Sequence, residues 1–421
     1  MEKALLVSIK LHSEKDNWSL EDLAHELEEL TLSTGAEIVD NVSCFIDKPT
    51  PNLFIGKGKA QELFLLAQEL GVDTVVFSNN LSGTQQRNLE EVIGLKTIDR
   101  TQLILDIFAQ HARSPEGKMQ VELAQLQYLL PRLVGKGIIL SRLGGGIGTR
   151  GPGEQKLEID RRRIRKRIEK LKDDLKHLSL HRMTIRKRRK EKALPMVALV
   201  GYTNAGKSTL LNTLTRASQT VENSLFTTLD PLSKSLKLPN GENIVISDTV
   251  GFLHNLPHHL IEAFKATLEE VVESDLLIHV LDVSHPKVYE HDKSVLEVLV
   301  ELGAQTKPMI TTLNKIDRMD DQAWLARLKE DFINSVPISA KFKQNIDVLL
   351  NEIQKFFASK MELLEIEIPH TRMDLVNLFY REGKVIEIKY LQKGIKITLS
   401  LPKTLHYKLL QDKDIDFESG A

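Results

Sequence analysis

A phosphate-binding loop motif constrains this chain more than any other stretch of its sequence. Residues 201–208 read Gly-Tyr-Thr-Asn-Ala-Gly-Lys-Ser, between an apolar run at 196–200 and a helical pattern at 209–214. Glycines let backbone N–H groups turn toward a phosphate, and the helix N-terminus adds the positive end of its dipole. This order predicts nucleotide binding by Gly201, Tyr202, Thr203, Asn204, Ala205, Gly206, Lys207, Ser208 and Thr209.

Further candidates follow in the order that a nucleotide switch requires. Lys207 is expected to reach the β- and γ-phosphates, and Ser208 to ligate Mg²⁺ through its hydroxyl. A later strand ends in Asp248-Thr-Val-Gly251, where Asp248 would hold Mg²⁺ through a water molecule and the Gly251 N–H would contact the γ-phosphate. Loss of the γ-phosphate would release these contacts, so hydrolysis would become a conformational signal. The candidate catalytic residues are Lys207, Thr228 and Gly251.

A threonine in the loop between these two motifs is expected to complete the metal site. The loop contains Phe226, Thr227 and Thr228, which we include among the nucleotide-binding residues. Thr228 is the candidate for closing on Mg²⁺ and the γ-phosphate, while Thr227 stays open as the alternative. The predicted metal-binding residues are therefore Ser208, Thr228 and, through water, Asp248.

The base is predicted from the sequence Asn314-Lys315-Ile-Asp317, which follows an apolar run. The Asp317 carboxylate can accept hydrogen bonds from guanine N1–H and N2–H, whereas adenine lacks that pair of donors. The Lys315 stem would cover the base plane, and a later segment would offer a backbone N–H to guanine O6. That segment consists of Ser339, Ala340 and Lys341. The pattern favours GTP over ATP.

One departure from the common GTPase pattern bears on mechanism. Phe252 follows Gly251, at the place where many GTPases have the glutamine that orients the attacking water. Because phenylalanine cannot hydrogen-bond a water molecule, we expect slow intrinsic hydrolysis. Something other than a glutamine must therefore order the attacking water. The three candidates are a residue of a partner, a backbone group of a switch loop, and a retraction of Phe252.

Composition narrows the setting in which the chain works. With Cys44 as its single cysteine, the sequence can form no internal disulfide, which predicts a reducing cytoplasm. The sequence has no signal-peptide pattern at its N-terminus and no run of eighteen apolar residues, so we predict no transmembrane segment. Peripheral membrane association stays open, and we expect a monomer. Aromatic residues make up 5% of the chain, which disfavours a base-stacking surface as the main activity.

Residues 1–112 are predicted to form a small α/β domain with a parallel sheet. Apolar runs at 4–9, 37–45 and 72–77 alternate with helical patterns at 20–32, 59–70 and 85–92. No catalytic constellation is visible in this region, so a binding role is the default prediction.

Residues 113–194 are predicted to form an antiparallel helical hairpin around a glycine-rich tip. The first helix, at 121–130, is expected to end at Pro131, and the second carries apolar residues at seven-residue spacing from Leu157 to Ile185. Between 155 and 192 there are 17 Lys or Arg against 6 Asp or Glu, a net charge of +11. A solvated surface helix is the alternative, but this imbalance favours RNA phosphate contacts. The predicted contact residues are Arg142, Arg150, Arg161, Arg162 and Arg163.

Taken together, these motifs resemble the HflX family of translation-associated GTPases, within the Obg-HflX group. The GTPase motifs at 201–208, 226–231, 248–252 and 314–317 match this family but also its relatives. More specific are Gly-Gly-Gly-Ile-Gly-Thr-Arg-Gly-Pro-Gly-Glu at 144–154 and Lys-Leu-Glu-Ile-Asp-Arg-Arg-Arg at 156–163. The resemblance covers roughly residues 1 to 360.

The resemblance implies a GTPase that binds the large ribosomal subunit, is stimulated by it and splits stalled or idle ribosomes under stress. In related GTPases an asparagine at the position of Asn204 can bind K⁺, which makes K⁺ a second candidate cofactor beside Mg²⁺. An Asn204 that only braces its own loop is the alternative. A ribosome-assembly GTPase and a nucleotide-gated regulator of a protein partner remain rival functions. ATP hydrolysis or RNA unwinding by the N-terminal region stays open.

The predicted fold class is α/β, with four parts. Residues 195–358 form a P-loop GTPase domain with a mainly parallel sheet and helices on both faces. The α/β N-terminal domain (1–112) and helical hairpin (113–194) precede it. Residues 359–421 form a small α/β module with the order β-α-β-β-α, a last helix at 405–410 and an acidic tail. This module is predicted to contact a protein or the ribosome.

Overall fold

The computed structural model describes most of the chain in three sheet-containing parts and one helix pair. The described residues are 1–13, 17–133, 152–191, 194–215, 226, 232–257, 260, 264–319, 321–392, 394–402, 409 and 416–418. The predictions for Thr227, Thr228, Arg142 and Arg150, and all of the last predicted helix except Leu409, lie outside these residues. Of the helices within the described ranges, none combines the length and the apolarity needed to cross a bilayer.

The N-terminal domain is built on a four-stranded parallel sheet with the strand order β2-β1-β3-β4. Its central strand β1 is buried on both faces, since Leu6 packs with the helices of one side and Leu5 and Val7 with those of the other. The elements in chain order are β1 (Lys3–Leu11), α1 (Leu20–Ser33), β2 (Glu37–Ile46), α2 (Lys57–Leu70), β3 (Thr74–Phe77), α3 (Gly83–Ile93), β4 (Lys96–Ile98) and α4 (Arg100–His111). The predicted parallel sheet is thus present, whereas β4 and α4 have no counterpart in the sequence prediction.

Two long helices follow, α5 (Pro115–Arg132) and α6 (Pro152–Glu191), and they pack on each other. Their shared core contains Ile164, Ile168, Leu171 and Leu175, which belong to the predicted seven-residue seam. Arg167 adds a bidentate pair with Glu122, with both N–O distances at 2.6 Å. The first helix ends at Arg132, one residue after the predicted end at Pro131.

The third part is a doubly wound domain whose six-stranded sheet has the order β10-β9-β8-β5-β7-β6. All neighbouring pairs are parallel except β6 with β7, which are joined by a turn at 239–241. Its elements are β5 (Met196–Gly201), α7 (Lys207–Thr215), β6 (Leu232–Lys237), β7 (Asn243–Asp248), α8 (Lys265–Glu273), β8 (Leu276–Asp282), α9 (Val288–Glu301), β9 (Met309–Asn314), α10 (Gln322–Asp331), β10 (Val336–Pro337) and α11 (Ile346–Lys360). The central position of β5 places the loop after it at the carboxyl edge of the sheet, where ligands bind in this architecture.

The N-terminal domain and the third part share one hydrophobic core. Phe108 of α4 contacts both Phe226 and Phe264 edge-on, with ring centroids 4.5 and 4.4 Å apart. The same buried cluster includes Leu27 and Ile104 from the N-terminal domain. Phe226 and Phe264, which lie before and after the Asp248–Gly251 motif in the chain, therefore pack against the first domain.

Within its described residues, the C-terminal module forms a four-stranded antiparallel sheet, and α12 (Met373–Glu382) packs against two of the strands. Its strands are β11 (Met361–Ile368), β12 (Lys384–Tyr390), β13 (Ile395–Pro402) and β14 (Asp416–Glu418). The last strand was predicted as part of an acidic tail, and that prediction is wrong for residues 416–418. These three residues pair with β11, in a register that sets Phe417 opposite Ile366. A strand that forms only by pairing with a distant segment cannot be predicted from the local sequence of a short acidic stretch.

Buried histidines should make the stability of the fold depend on pH. Burial, with His285 and His254 close by, lowers the pKa of His291 to about 3. This pKa lies below that of a histidine in the unfolded chain, which is near 6.5, so the folded protein favours the neutral imidazole. The contribution of neutral His291 to the free energy of unfolding is therefore complete above pH 6.5 and is lost as the pH falls below that value. We expect a loss of about 1.4 kcal/mol per pH unit below 6.5.

The measurement is the melting temperature from pH 7.5 to pH 5, for the wild type and His291→Gln, whose profile should be flatter. Substitution of the exposed His370 by glutamine is the matched control and should leave the profile unchanged. His279 adds little net slope, since burial lowers its pKa to about 3 but raises that of the adjacent Asp292 to about 6, with opposite effect. Parallel profiles for wild type and His291→Gln would contradict the assignment.

Candidate nucleotide-binding site

The loop between β5 and α7 holds a buried lysine over its own backbone. The Nζ of Lys207 donates to the carbonyl oxygens of Tyr202 and Gly201, at 2.7 and 3.1 Å. Burial lowers the pKa of this ammonium to about 8, although the nearby Asp248 carboxylate acts in the opposite direction. A phosphate bound beside it would favour the charged form, as expected for a group that contacts a triphosphate.

Two glycines of the loop stand where no side chain fits. Gly201 has φ +158°, and a Cβ there would lie 2.4 Å from the Val280 carbonyl oxygen of the neighbouring strand. Gly206 has φ +97°, a left-handed conformation, and its Cβ would lie 2.3 Å from Asn314 Nδ2. The backbone can therefore turn tightly against β8 and against the predicted base-recognition segment.

A hydroxyl and a carboxylate meet at the predicted metal position. Ser208 Oγ donates to Asp248 Oδ2 at 2.6 Å, and Asp248 is fully buried at the end of β7. The parallel register that pairs Leu199 with Asp248 brings the end of β7 beside the loop. Hard oxygen ligands are the ones that Mg²⁺ prefers, so the two side chains fit this ion.

The segment after Asp248 lies directly against the loop. A Cβ on Gly251 would come within 2.8 Å of Thr203 Cγ2 and 3.1 Å of Lys207 Nζ, so a side chain would not fit without displacement. The next residue pairs with the loop backbone, because the Phe252 N–H donates to the Gly201 carbonyl and the Thr203 N–H to the Phe252 carbonyl. The Gly251 backbone is thus held beside the lysine that is predicted to bind the γ-phosphate.

The Phe252 ring lies in the hydrophobic core that the two domains share. It is only 1% exposed and belongs to the same cluster as Phe226, Phe264 and Phe108. The ring is therefore a packing group in this structure, in keeping with the expectation that it does not orient water.

The base-recognition residues also come together. The Asn314 amide donates to the Ala205 carbonyl at 2.8 Å and accepts from the Ala340 N–H at 3.0 Å, which ties the loop to the 339–341 segment. Ser339 Oγ donates to Asp317 Oδ1 at 2.5 Å and so fixes one oxygen of that carboxylate. The N–H of Ala340, which belongs to the segment predicted to offer a backbone N–H to guanine O6, is thus engaged by Asn314 here.

Sequence reasoning missed a carboxylate that holds the lysine of this segment. Lys315 has a left-handed backbone, with φ 65°, and its Nζ lies 2.6 Å from Asp282 Oδ2. Asp282 also accepts hydrogen bonds from the backbone N–H and hydroxyl of Ser284. The signal was the position of Asp282 at the carboxyl end of the apolar strand β8, on the edge that carries the other site residues.

The predicted RNA-contact residues within the described range lie at the start of α6. Arg162 is exposed, and the Arg163 side chain is 78% exposed, with the Asp160 carboxylate at 3.7 Å. Arg161 is half-buried, with Glu158 at 3.9 Å. Arg162 and Arg163 are therefore the better candidates for an external contact.

The fold and this site define a GTPase of the P-loop class. Residues 196–315 match the family described as "50S ribosome-binding GTPase", residues 21–109 "GTP-binding GTPase N-terminal", and residues 111–189 "GTP-binding GTPase Middle Region". The chain is 47% identical over 396 residues to GTPase HflX of Caldanaerobacter subterraneus, covering 94% of this chain and 90% of the relative. It is 39% identical over 401 residues to GTPase HflX of Escherichia coli, covering 95% of this chain and 93% of the relative.

The chain therefore belongs to the HflX family of GTPases and hydrolyses GTP. A GDP-bound GTP-binding protein from Sulfolobus solfataricus is 26% identical and matches with a TM-score of 0.45, over 84% of this chain and 98% of that one. The resemblance inferred from the glycine-rich segment and the basic helix is confirmed at the level of the family.

Proposed function

We propose that this chain binds the large ribosomal subunit and couples GTP binding and hydrolysis to ribosome dissociation or rescue under stress in the cytoplasm. The observation that carries this proposal is the strongly basic helix α6, which presents Arg162 and Arg163 to solvent. The match of residues 196–315 to a family described as ribosome-binding supports the same partner. The slow intrinsic hydrolysis expected without the glutamine also fits an enzyme that its partner activates.

The nucleotide site would work as a γ-phosphate switch. Lys207 would neutralise charge on the β- and γ-phosphates, Ser208 and Thr228 would ligate Mg²⁺, and Asp248 would hold it through water. Mg²⁺ would supply charge neutralisation between the β- and γ-phosphates. The Gly251 N–H would bind the γ-phosphate. Loss of the γ-phosphate on hydrolysis would then release the segment after Gly251, which packs against the N-terminal domain.

A second cation is a further candidate. Asn204 has a left-handed backbone, with φ 58°, and an exposed side chain at the mouth of the loop. From there its amide oxygen would be available to a K⁺ ion at the phosphates. Hydrolysis rates compared in K⁺ and Na⁺ buffers, for the wild type and Asn204→Ala, would decide between this role and a loop brace.

Charge reversal on α6 tests the ribosome contact. We expect the Arg162→Glu, Arg163→Glu double variant to bind isolated large subunits about tenfold more weakly, because phosphate contacts depend on positive charge. The measurement is co-sedimentation at two salt concentrations, with GTP affinity as the check on folding. The matched control reverses two exposed charges of α10, Arg327→Glu with Lys329→Glu. Equal binding by both variants and the wild type would refute the contact.

GTP turnover with and without large subunits separates the rival functions. Strong stimulation by mature subunits, followed by splitting of intact ribosomes in light scattering, supports the proposal. Accumulation of precursor particles in a deletion strain would favour an assembly role instead. A lack of stimulation, with a protein partner that stays bound through nuclease and high salt, would favour the nucleotide-gated regulator.

A further inference from the structure

A buried arginine of the N-terminal domain holds the backbone that follows Gly251. Arg100, the first residue of α4, is 7% exposed and pairs with Glu26 of α1, with an Nη2–Oε1 distance of 2.5 Å. The same guanidinium donates to the carbonyl oxygen of Asn255 at 3.0 Å and to that of His254. Its fixed fork of donors thus spans one carboxylate and two successive backbone carbonyls.

The carboxylate of this pair continues the connection to the phosphate-binding loop. The Tyr202 hydroxyl donates to Glu26 Oε2 at 2.5 Å and accepts from the His254 N–H at 2.8 Å. Burial, reinforced by the adjacent Glu26, raises the pKa of Tyr202 well above its usual value, so its hydroxyl keeps its proton. His254 is therefore held through both its N–H and its carbonyl.

Ring stacking reinforces the same arrangement. The His254 ring stacks on Trp18, with centroids 4.3 Å apart, and the Tyr202 ring stacks on His291 at 3.8 Å. Trp18 belongs to the N-terminal domain, so that domain contacts the segment 252–255 through an aromatic ring as well as through the hydrogen bonds of Arg100.

The segment 252–255 is fixed at both ends. Phe252 is hydrogen-bonded to the phosphate-binding loop at one end, and Arg100 binds the two carbonyls at the other. Gly251, immediately before it, can shift little while both ends are held. A backbone donor that is fixed before the reaction stabilises developing phosphate charge without a reorganisation cost.

We propose that Arg100, paired with Glu26, is a positioning residue for GTP hydrolysis. By holding the carbonyls of His254 and Asn255, it keeps the Gly251 N–H in the place where it meets the γ-phosphate. The N-terminal domain is then part of the catalytic unit, and a partner that moves this domain changes the hydrolysis rate through Arg100. This inference rests on the proposed γ-phosphate contact of Gly251, not on the ribosome as partner.

The test is the Arg100→Lys variant of the full chain. Lysine keeps the charge opposite Glu26 but lacks the fork that reaches both carbonyls. We expect kcat for intrinsic GTP hydrolysis to fall about tenfold, which is less than the roughly hundredfold to thousandfold loss caused by removing such a donor outright. The preference for a non-hydrolysable GTP analogue over GDP should fall at least about fivefold, while GDP affinity is unchanged, because GDP has no γ-phosphate to meet Gly251.

A matched control separates positioning from domain stability. Arg132 is also a partly buried arginine that binds a carboxylate and a carbonyl, those of Asp99 and Leu81, both of which belong to the N-terminal domain. Arg132→Lys should lower the melting temperature comparably and leave kcat and the analogue-to-GDP ratio unchanged. If Arg100→Lys does not fold, Arg100→Met with Glu26→Gln avoids an unpaired buried carboxylate and keeps an acceptor for Tyr202.

The outcomes decide the inference. A lower kcat with a reduced analogue-to-GDP ratio, in a variant no less stable than the control, supports positioning by Arg100. An unchanged or increased kcat in a folded variant overturns it and leaves the ion pair as a purely structural contact. If the wild type itself shows no preference for the GTP analogue over GDP, the result contradicts the proposed γ-phosphate contact of Gly251, on which the role of Arg100 rests.

Discussion

Replacing Lys207 with alanine is expected to abolish GTP hydrolysis, with a loss in rate of about a thousandfold or more. The Lys207 side chain is almost fully buried, and its ammonium donates to the carbonyls of Gly201 and Tyr202. Its removal would leave the charge on the β- and γ-phosphates without its main protein counterion. Single-turnover release of phosphate from bound GTP, with Mg²⁺ present, measures the loss.

Arginine at position 207 should not support GTP hydrolysis either. Lys207→Arg retains the charge, but a planar guanidinium does not fit the place of a compact ammonium held by two carbonyls. Lys355→Ala removes an exposed lysine of the same domain, whose side chain is 71% exposed, and serves as the control with unchanged turnover. Full activity of Lys207→Ala would remove the phosphate-binding assignment.

Replacing Asp317 with asparagine is expected to shift base preference from guanine toward xanthine. The carboxylate would accept from N1–H and N2–H of guanine, whereas an amide presents a donor that suits the O2 of xanthine. A buried polar mismatch of this kind lowers affinity steeply, and we expect GTP to bind about a thousandfold more weakly. Competition of GTP, XTP and ATP against a fluorescent guanine nucleotide gives the three affinities.

Two further variants define the guanine clamp. Ser339→Ala removes the hydroxyl that fixes Asp317 Oδ1, so it should weaken GTP binding about tenfold without admitting XTP. Asp321→Asn is the matched control, because Asp321 only caps α10 through the Ala323 and Trp324 N–H groups and asparagine caps a helix equally well. Unchanged GTP selectivity in Asp317→Asn would disprove the clamp.

Local sequence patterns predicted most of the helices and strands, because the spacing of apolar residues within each segment favours its conformation. The alternation of apolar strands and amphipathic helices in residues 1–112 was sufficient to predict the parallel sheet. The seven-residue seam predicted the packing of α6 on α5 through Ile164 and Leu171. The strand at 416–418 was not predicted, since these three residues form a strand only by pairing with β11.

The candidate site divides in the same way. Gly206, Lys207, Ser208, Asp248, Asn314 and Asp317 lie in motifs whose spacing predicted them, and the described structure brings them together at one edge of the sheet. Asp282 went unnoticed because a single carboxylate at the end of a strand is common. Only the approach of β8 to β9 puts it beside Lys315.

The sequence alone determined the family, the nucleotide chemistry and the basic helix, since each rests on residue types at fixed local spacing. The tertiary structure alone decided how the N-terminal domain meets the nucleotide site. Glu26, Arg100 and Tyr202 are separated by 74 and 102 residues along the chain, and no local pattern relates them. Their partnership exists because α1 and α4 share a core with the loops after β5 and β7, and a buried arginine must find acceptors in that interface.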